Sequence, residues 1–300
     1  MEWLQHAKFV RVREEVITAI QRNEYRFRRT PNVLFLCGGR GSVVRDRLRE
    51  YVRKRRDDTI VFYAENVWTA LSQVQGLSAL QMEAQLASLS DIVVIIVESI
   101  GTSAELGAFS LSDELRKKLL PILDPKHRTG ESFIETGPVR WIDSDSNFRP
   151  AIWVDHKSVL EAAAELEDRL NKILPAPVRV ADLVASPKHL LFFLCDLVAV
   201  FGPCLSSHIA FYTERIVGSD PGSIPMLLGL GRAMGILSAF RSRDGADLFY
   251  TPLVDGQLPV FHYTKKHFGI PSLRAKVLSV MQKVPAARVA LREFELTVCC

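Results

Sequence analysis

Cysteine is scarce in this 300-residue chain, and the five present are scattered. Cys37, Cys195, Cys204, Cys299 and Cys300 are odd in number and show no CxxC spacing, which fits a reducing compartment and no zinc site. Long hydrophobic runs are missing too. The longest apolar stretch, near Leu190 to Pro203, is interrupted at Cys195-Asp196 and is too short to span a bilayer. The opening residues, MEWLQHAKFVRVREEV, hold no apolar core of a signal peptide. These absences make a cytoplasmic protein with no membrane contact the expectation. There is no GxGxxG run, no Gly-Lys-Ser/Thr of a Walker A loop, no internal repeat and no low-complexity tract. Charge of one sign is not in excess either: a net charge of +4 is too small by itself to imply nucleic acid.

What is present is an ordinary globular composition, 48% apolar and 24% charged, at a length that favours two domains. The most informative stretch is Ser90 to Ser110, SDIVVIIVESIGTSAELGAFS. Ile92 to Val97 is a continuous apolar run of the kind that forms a strand buried on both faces. A turn, Glu98-Ser99-Ile100-Gly101, follows it, and a helix is predicted to start at Thr102 or Ser103. Open parallel sheets bind ligands beyond the carboxyl ends of their strands, and the helix directs its first amides to the same crevice. Glu98 and Glu105 flank the turn. Two readings of Glu105 stand side by side: Thr102-x-x-Glu105 is a capping box, in which the carboxylate merely satisfies the Thr102 amide, or Glu105 is free to act on a ligand. Glu98 can likewise be an ordinary strand-end carboxylate.

The same rhythm repeats around that stretch. Residues 2–24 have a partial apolar helical face. Val33-Leu34-Phe35-Leu36 is a short buried strand that ends at Cys37-Gly38-Gly39-Arg40-Gly41-Ser42, a glycine-rich loop that fits either a phosphate- or sugar-binding crossover or a tight turn. Residues 43–56 form a basic helix, with eight cations between Arg40 and Arg56. It is read as a solvated face or as a docking surface for nucleic acid, with Arg45, Arg49 and Arg53 as the contacts. Thr59 to Tyr63 is the next strand, with Glu65 just beyond it. A helix over 66–89 follows, then the central strand, a helix over Ser103 to Lys118, and a strand over 119–123 placed near an edge by Pro121. Residues 124–142 read as a loop, Trp153 to Asp155 as the last strand, and 156–174 as an amphipathic helix. Alternating strands and helices specify an α/β, parallel-sheet Rossmann-like domain with helices on both faces, over residues 1–174.

From 175 to 300 the pattern changes. Pro187 to Phe201, Ser206 to Val217 and Ile224 to Phe240 read as helices, 247–251 and 258–263 as strands around Val254-Asp255-Gly256-Gln257, and 272–284 as a last helix. Three helices and a hairpin is the order of a mostly helical winged-helix-like domain, and Arg241, Arg243, Lys265 and Lys266 suit phosphate contacts there. A helical accessory domain with an ordinary hairpin remains the alternative. Residues 291–300 read as a frayed terminus.

The blocks LFLCGG, VFYAENVWTAL, SDIVVIIVESIGTSAELGAFS and LRKKLLPILDPKHRTGESFIETGPVR stand in one order between Asn32 and Arg140. That order resembles the effector proteins of retrons, in the group with a nucleoside deoxyribosyltransferase-like N-terminal domain. The resemblance implies that Glu105, within Gly101-Thr102 through Glu105-Leu106-Gly107, is a nucleophile. It places Cys37, Gly38, Gly39, Glu65, Gly101 and Thr102 around the substrate, with Glu98 as a second catalytic carboxylate. Two departures stand out. Ala64 replaces a proline of these effectors, and Ser99 stands where the transferases carry an aspartate.

Independently of any family, breaking an N-glycosidic bond passes through an oxocarbenium-like state, which a carboxylate beneath C1′ can stabilise or trap as a glycosyl ester. Nicotinamide in NAD leaves with its positive charge neutralised, so no general acid is required. The leading expectation is therefore an antiphage retron effector, a toxin that cleaves nucleotide N-glycosidic bonds with NAD as first substrate. By the resemblance it works in a complex with a reverse transcriptase and its branched DNA–RNA product, the msDNA, and self-associates into a filament. No cofactor or metal is expected. The alternatives are a nucleoside deoxyribosyltransferase or nucleotide N-glycosidase, a stand-alone toxin, and a non-catalytic adaptor that binds nucleic acid.

Overall fold

Runs of Val, Ile, Leu and Phe have no polar face to turn outward, and they decide where the sheet of this protein lies. The computed structural model describes residues 3–21, 27–63, 83, 86–174, 182–218, 223–252, 262–263 and 270–298. It divides into two units, residues 31–174 and residues 1–30 together with 175–300. Where one helix was expected over 2–24, two 3-10 turns, Trp3–Gln5 and Ala7–Phe9, precede helix α1 (Val10–Ala19), and strand β1 (Phe27–Arg29) follows. These were expected in the first domain; they group with the second half instead. The reason is apolar: Trp3, Phe9 and Val16 are buried, and Trp3 meets His208 edge-on at 5.0 Å.

The unit from 31 to 174 is built on β2 (Asn32–Cys37), β3 (Thr59–Phe62), β4 (Ile92–Ile96), β5 (Leu119–Leu123) and β6 (Ile152–Trp153). All pair in parallel, in the order β3-β2-β4-β5-β6. Every residue of β2, β4 and β5 is buried. Leu34, Leu36, Ile92, Val94, Ile96, Leu120 and Ile122 share one face, as the two-residue strand period requires. Leu48 and Val52 of helix α2 (Val43–Arg55) pack on that face. From β2 the chain runs outward to β3, then crosses back to β4 on the other side of β2. The carboxyl ends of β2 and β4 thus form a topological switch point, the place where open parallel sheets take ligands.

Several elements differ from expectation. The helix predicted as one piece over 103–118 is two, α3 (Ile100–Ser110) and α4 (Asp113–Arg116), because Ser112 caps a new start by accepting from the Leu115 amide. Strand β5 is not at an edge: β4 and β6 flank it. Pro121 is tolerated because its missing donor faces the β6 side, where pairing begins only at Ile122. The expected loop over 124–142 contains a π-helical turn at Glu135–Val139, then helix α5 (Arg140–Asp145). Residues 156–162 form a 3-10 segment ahead of α6 (Ala163–Leu170).

The other unit is organised around α7 (Pro187–Phe201), in which thirteen of fifteen residues are buried. Such a helix is apolar all round and has to be wrapped. α8 (Ser206–Val217), α9 (Ile224–Ala233) and α10 (Ile270–Met281) pack against it. The helix predicted to run to Phe240 stops at Ala233; Gly235, at φ 73°, turns the chain into strand β7 (Ser238–Arg241). β7 pairs antiparallel with β8 (Asp247–Tyr250), so the hairpin lies one strand earlier than the sequence pattern placed it. β9 (His262–Tyr263) pairs instead with β1. The C-terminal segment is helix α11 (Pro285–Val298), not a frayed end: Phe294 joins Phe240 and Tyr250 in a small cluster under the hairpin. Among the described residues no helix is long and apolar enough to cross a membrane.

Candidate active site

At the switch point, β2 ends in Cys37-Gly38-Gly39 and β4 runs into Glu98-Ser99. The N-terminus of α3 is closed locally. The Ser99 hydroxyl accepts from the Thr102 amide at 3.2 Å, and Thr102 Oγ1 accepts from the Ser99 amide at 3.0 Å. Thr102 Oγ1 also accepts from the Glu98 amide at 3.1 Å and donates to the Ser99 carbonyl at 3.0 Å. The capping box is therefore Ser99 with Thr102, not Thr102 with Glu105. Helix α3 starts earlier than its apolar pattern implies because Ser99 is the better-placed cap. Glu105 sits one turn further on, three residues from Thr102 and on the same helix face.

Glu105 lines a cavity of about 220 Å³ together with Cys37, Gly38, Gly39, Gly101 and Thr102. These are five of the six residues expected around the substrate. The sixth, Glu65, lies outside the described residues. Gly101 leaves its side of the site open, since a Cβ there would meet only Ser99 Oγ, at 3.7 Å. Glu98 is exposed, and its Oε1 accepts from the Gly39 amide at 2.7 Å, which pins the glycine loop to the turn after β4. This explains the two glycines. A Cβ on Gly38 would come within 2.9 Å of Arg45 Cδ and 3.2 Å of Glu98 Oε1, and one on Gly39 within 3.3 Å of Glu98 Oε1.

Arg45 is the main surprise. Expected among the nucleic-acid contacts, it is only 6% exposed and lines the cavity. Ser42 Oγ caps α2 by accepting from the Arg45 amide at 3.0 Å, and Arg45 Nη1 donates to the Gly38 carbonyl at 3.3 Å. The guanidinium lies 4.1 Å from the centre of the Tyr63 ring. Arg49 stacks on the same ring at 4.9 Å and is half-buried, so of the three arginines predicted to face a partner only Arg53 is exposed. Burial and the hydrogen bond to Asp46 push the Tyr63 phenol up to about 12, which keeps it neutral beside the two cations. Arg40 and Glu83 also line the cavity, and neither was singled out from the sequence. Arg40 was readable, as the one cation inside the glycine loop; Glu83 has no signal beyond its place in a helical pattern.

The cavity therefore has two sides. Arg40 and Arg45 stand on the side of the glycine loop and α2, and Glu105 on the side of α3. A small polyol with an anionic substituent matches the charges of such a site, its hydroxyls to the carboxylate and its anion to the guanidinium groups.

In the second unit, Arg241 ends β7 and Arg243 lies in the turn of the hairpin; both are exposed. The Arg243 amide donates to Glu293 Oε2 at 3.4 Å, which ties the turn to α11. Lys265 and Lys266 lie outside the described residues. Among the described residues no group of three or more His, Cys, Asp or Glu is placed to hold a metal ion.

Residues 41–239 match the family described as STM3845 retron effector protein. The chain is 28% identical over 283 residues to an Escherichia coli protein named "Retron Ec73 putative ribosyltransferase/DNA-binding protein", an alignment that covers 85% of this chain and 87% of that one. It is 40% identical over 111 residues to the Escherichia coli "Retron Ec86 putative ribosyltransferase/DNA-binding protein", covering 36% of each.

Proposed function

The chain belongs to the STM3845 retron effector family, and from that premise we propose that its sheet unit cleaves the N-glycosidic bond of a phosphate-bearing nucleotide, with NAD as first substrate and Glu105 as nucleophile. The observation that carries this reading is the position of Glu105: it lines a cavity beside the glycine loop and a buried arginine, one turn beyond the Ser99–Thr102 capping box. The relatives' names, which pair ribosyltransferase with DNA-binding, agree with a glycosyl-transfer reaction and with a nucleic-acid partner.

In the proposed reaction the Glu105 carboxylate attacks C1′ as the bond to the nicotinamide nitrogen breaks. The bonding pair leaves with the ring, which departs neutral. Water then attacks C1′ of the glycosyl ester, gives up a proton and releases ADP-ribose and the Glu105 carboxylate. Arg45 and Arg40 hold the phosphate next to the reacting ribose, which favours nucleotides over nucleosides. Glu98 keeps the glycine loop in place. In the cell, the second unit contacts the msDNA through Arg241 and Arg243 and so joins the reverse transcriptase complex.

The test is Glu105→Gln in cells carrying the whole locus, with NAD measured during phage infection. NAD falls in the wild type and not in the variant, and phage protection is lost with it. The expected loss in the rate of cleavage by the assembled complex is about 10³-fold or more, the usual effect of removing a nucleophile. NAD loss that persists in Glu105→Gln would sink the mechanism. Protection retained in the variant with NAD unchanged in both would turn the reading toward the adaptor.

A further inference from the structure

A second cavity, of about 640 Å³, opens in the sheet unit where β5 and β6 end. It shares no lining residue with the site around Glu105. Its volume falls in the range of small-molecule sites, about 300–1,000 Å³, and it sits at the carboxyl ends of parallel strands. Helix α2 separates the two: Arg45 lines the first cavity, Arg47 the second.

Its charges do not cancel. Asp124 is committed to its own turn: Oδ1 accepts from the Lys126 amide at 3.0 Å, and Oδ2 pairs with Lys126 Nζ at 2.8 Å. These contacts hold the Asp124 carboxyl below its ordinary range. Asp155 accepts from the Lys157 amide at 2.8 Å, as the cap of the 3-10 segment. Arg47 Nη1 donates to the Lys157 carbonyl at 3.1 Å, which fixes the guanidinium at the rim. Neither Arg47 nor Lys157 has a carboxylate partner among the described residues, and His156 Nε2 is buried there without a hydrogen-bond partner. Val43, 61% exposed, and Val44 supply an apolar wall beside these donors.

We infer that this cavity is a second ligand site, which takes a nucleoside phosphate with its phosphate on Arg47 and Lys157 and its base against Val43 and Val44. An anion there gains two charge-assisted partners that the fold leaves unpaired, and the base covers an exposed valine. The ligand's source is a free nucleotide or the 5′ end of a nucleic acid; the chemistry recognised is the same.

The experiment titrates AMP into the full chain by calorimetry, in the wild type, in Arg47→Ala/Lys157→Ala and in Val43→Trp, each checked for an unchanged melting temperature. Val43→Trp fills the cavity without touching its charges. Two AMP sites are expected in the wild type and one in each variant, with the lost site weakened at least tenfold. A 5′-phosphorylated single-stranded DNA oligonucleotide then identifies the source. Displacement of AMP from the second site assigns it to a nucleic-acid end, with affinity falling steeply with salt; failure to displace AMP assigns it to a free nucleotide. Equal stoichiometry and affinity for both probes in all three proteins would overturn the proposal.

Discussion

Helices α2 and α7 follow the same capping rule and have opposite fates. Each begins after a serine whose hydroxyl accepts from an amide three residues on. α7 buries thirteen of its fifteen residues, and α2 only three of thirteen, one of them an arginine. The difference lies in what each helix is asked to cover. α7 is the centre of its unit, and a polar side chain there, such as Asp196, is enclosed by core. Burial, with the Asp196 charge beside it, pushes the Cys195 thiol well above its ordinary value. α2 lies over one face of a sheet, and its one buried charge, Arg45, borders a cavity. A charge enclosed by core serves the fold. A charge that lines open space is available to a ligand as well, and both cavities described above lie against α2.

The largest expected effect tests the α7 side of this contrast. Phe193→Ala removes a side chain that is fully buried, and cavity formation at such sites costs about 3–5 kcal/mol. Arg53→Ala, on the exposed face of α2, should change stability by no more than about 0.5 kcal/mol. Urea unfolding of the two variants checks both numbers. Similar losses in the two would dissolve the distinction between a core helix and a covering one.

The next effect concerns function rather than stability. The Cβ of Gly38→Ala would press on Arg45 Cδ at 2.9 Å and Arg45 Cβ at 3.2 Å, so the buried arginine has to shift. Stability should fall less than in Phe193→Ala, while displacement of the guanidinium should weaken binding of a phosphate-bearing substrate by about tenfold. The readout is a rise in KM for NAD with little change in kcat, shared by Arg45→Ala. An unchanged KM in both variants would remove Arg45 from the proposed site.

The sequence is informative where one physical signal dominates. Val33 to Leu36, Ile92 to Ile96 and 119–123 read as strands because nothing polar interrupts them, and the parallel order follows from the helical patterns between them. Glu105 and the glycines are legible as a strand-to-helix turn with carboxylates nearby. The start of α3 is not, because Ser99 and Thr102 both precede an apolar run and spacing alone does not choose between two capping boxes. The hairpin was displaced by one strand for a related reason. Ser238-Ala239-Phe240-Arg241 continues the helical pattern of α9, and only the left-handed Gly235 and Gly245 mark the change. The burial of Arg45 is hardest to read, since in a basic helix one cation looks like the next; tertiary structure alone selects the one that faces Gly38. The N-terminal segment fails in the same way, because an amphipathic helix does not name the core it will cover.

The smallest expected effect is read at alkaline pH. In the helical unit, burial raises the Cys204 thiol from 9.0 to about 12, with Arg274 opposing. In the sheet unit, burial and Asp46 raise the Tyr63 phenol from 10.0 to about 12. Both are acids held protonated by the fold, so the unfolded chain loses each proton first. Their contributions are whole below the unfolded value and decline as pH climbs toward the folded one. Cys204 therefore begins to weaken its unit above pH 9.0, and Tyr63 begins to weaken the sheet unit only above pH 10.0. Urea midpoints measured below, between and above those two values should fall in two steps. Cys204→Ala should shrink the first step, which the buried Cys195 thiol shares, and Tyr63→Phe should shrink the second, which the buried Tyr212 phenol shares. A single step that neither substitution alters would mean that the alkaline response belongs to other groups, and the contrast between an enclosed thiol and a phenol stacked under two arginines would not extend to their titration.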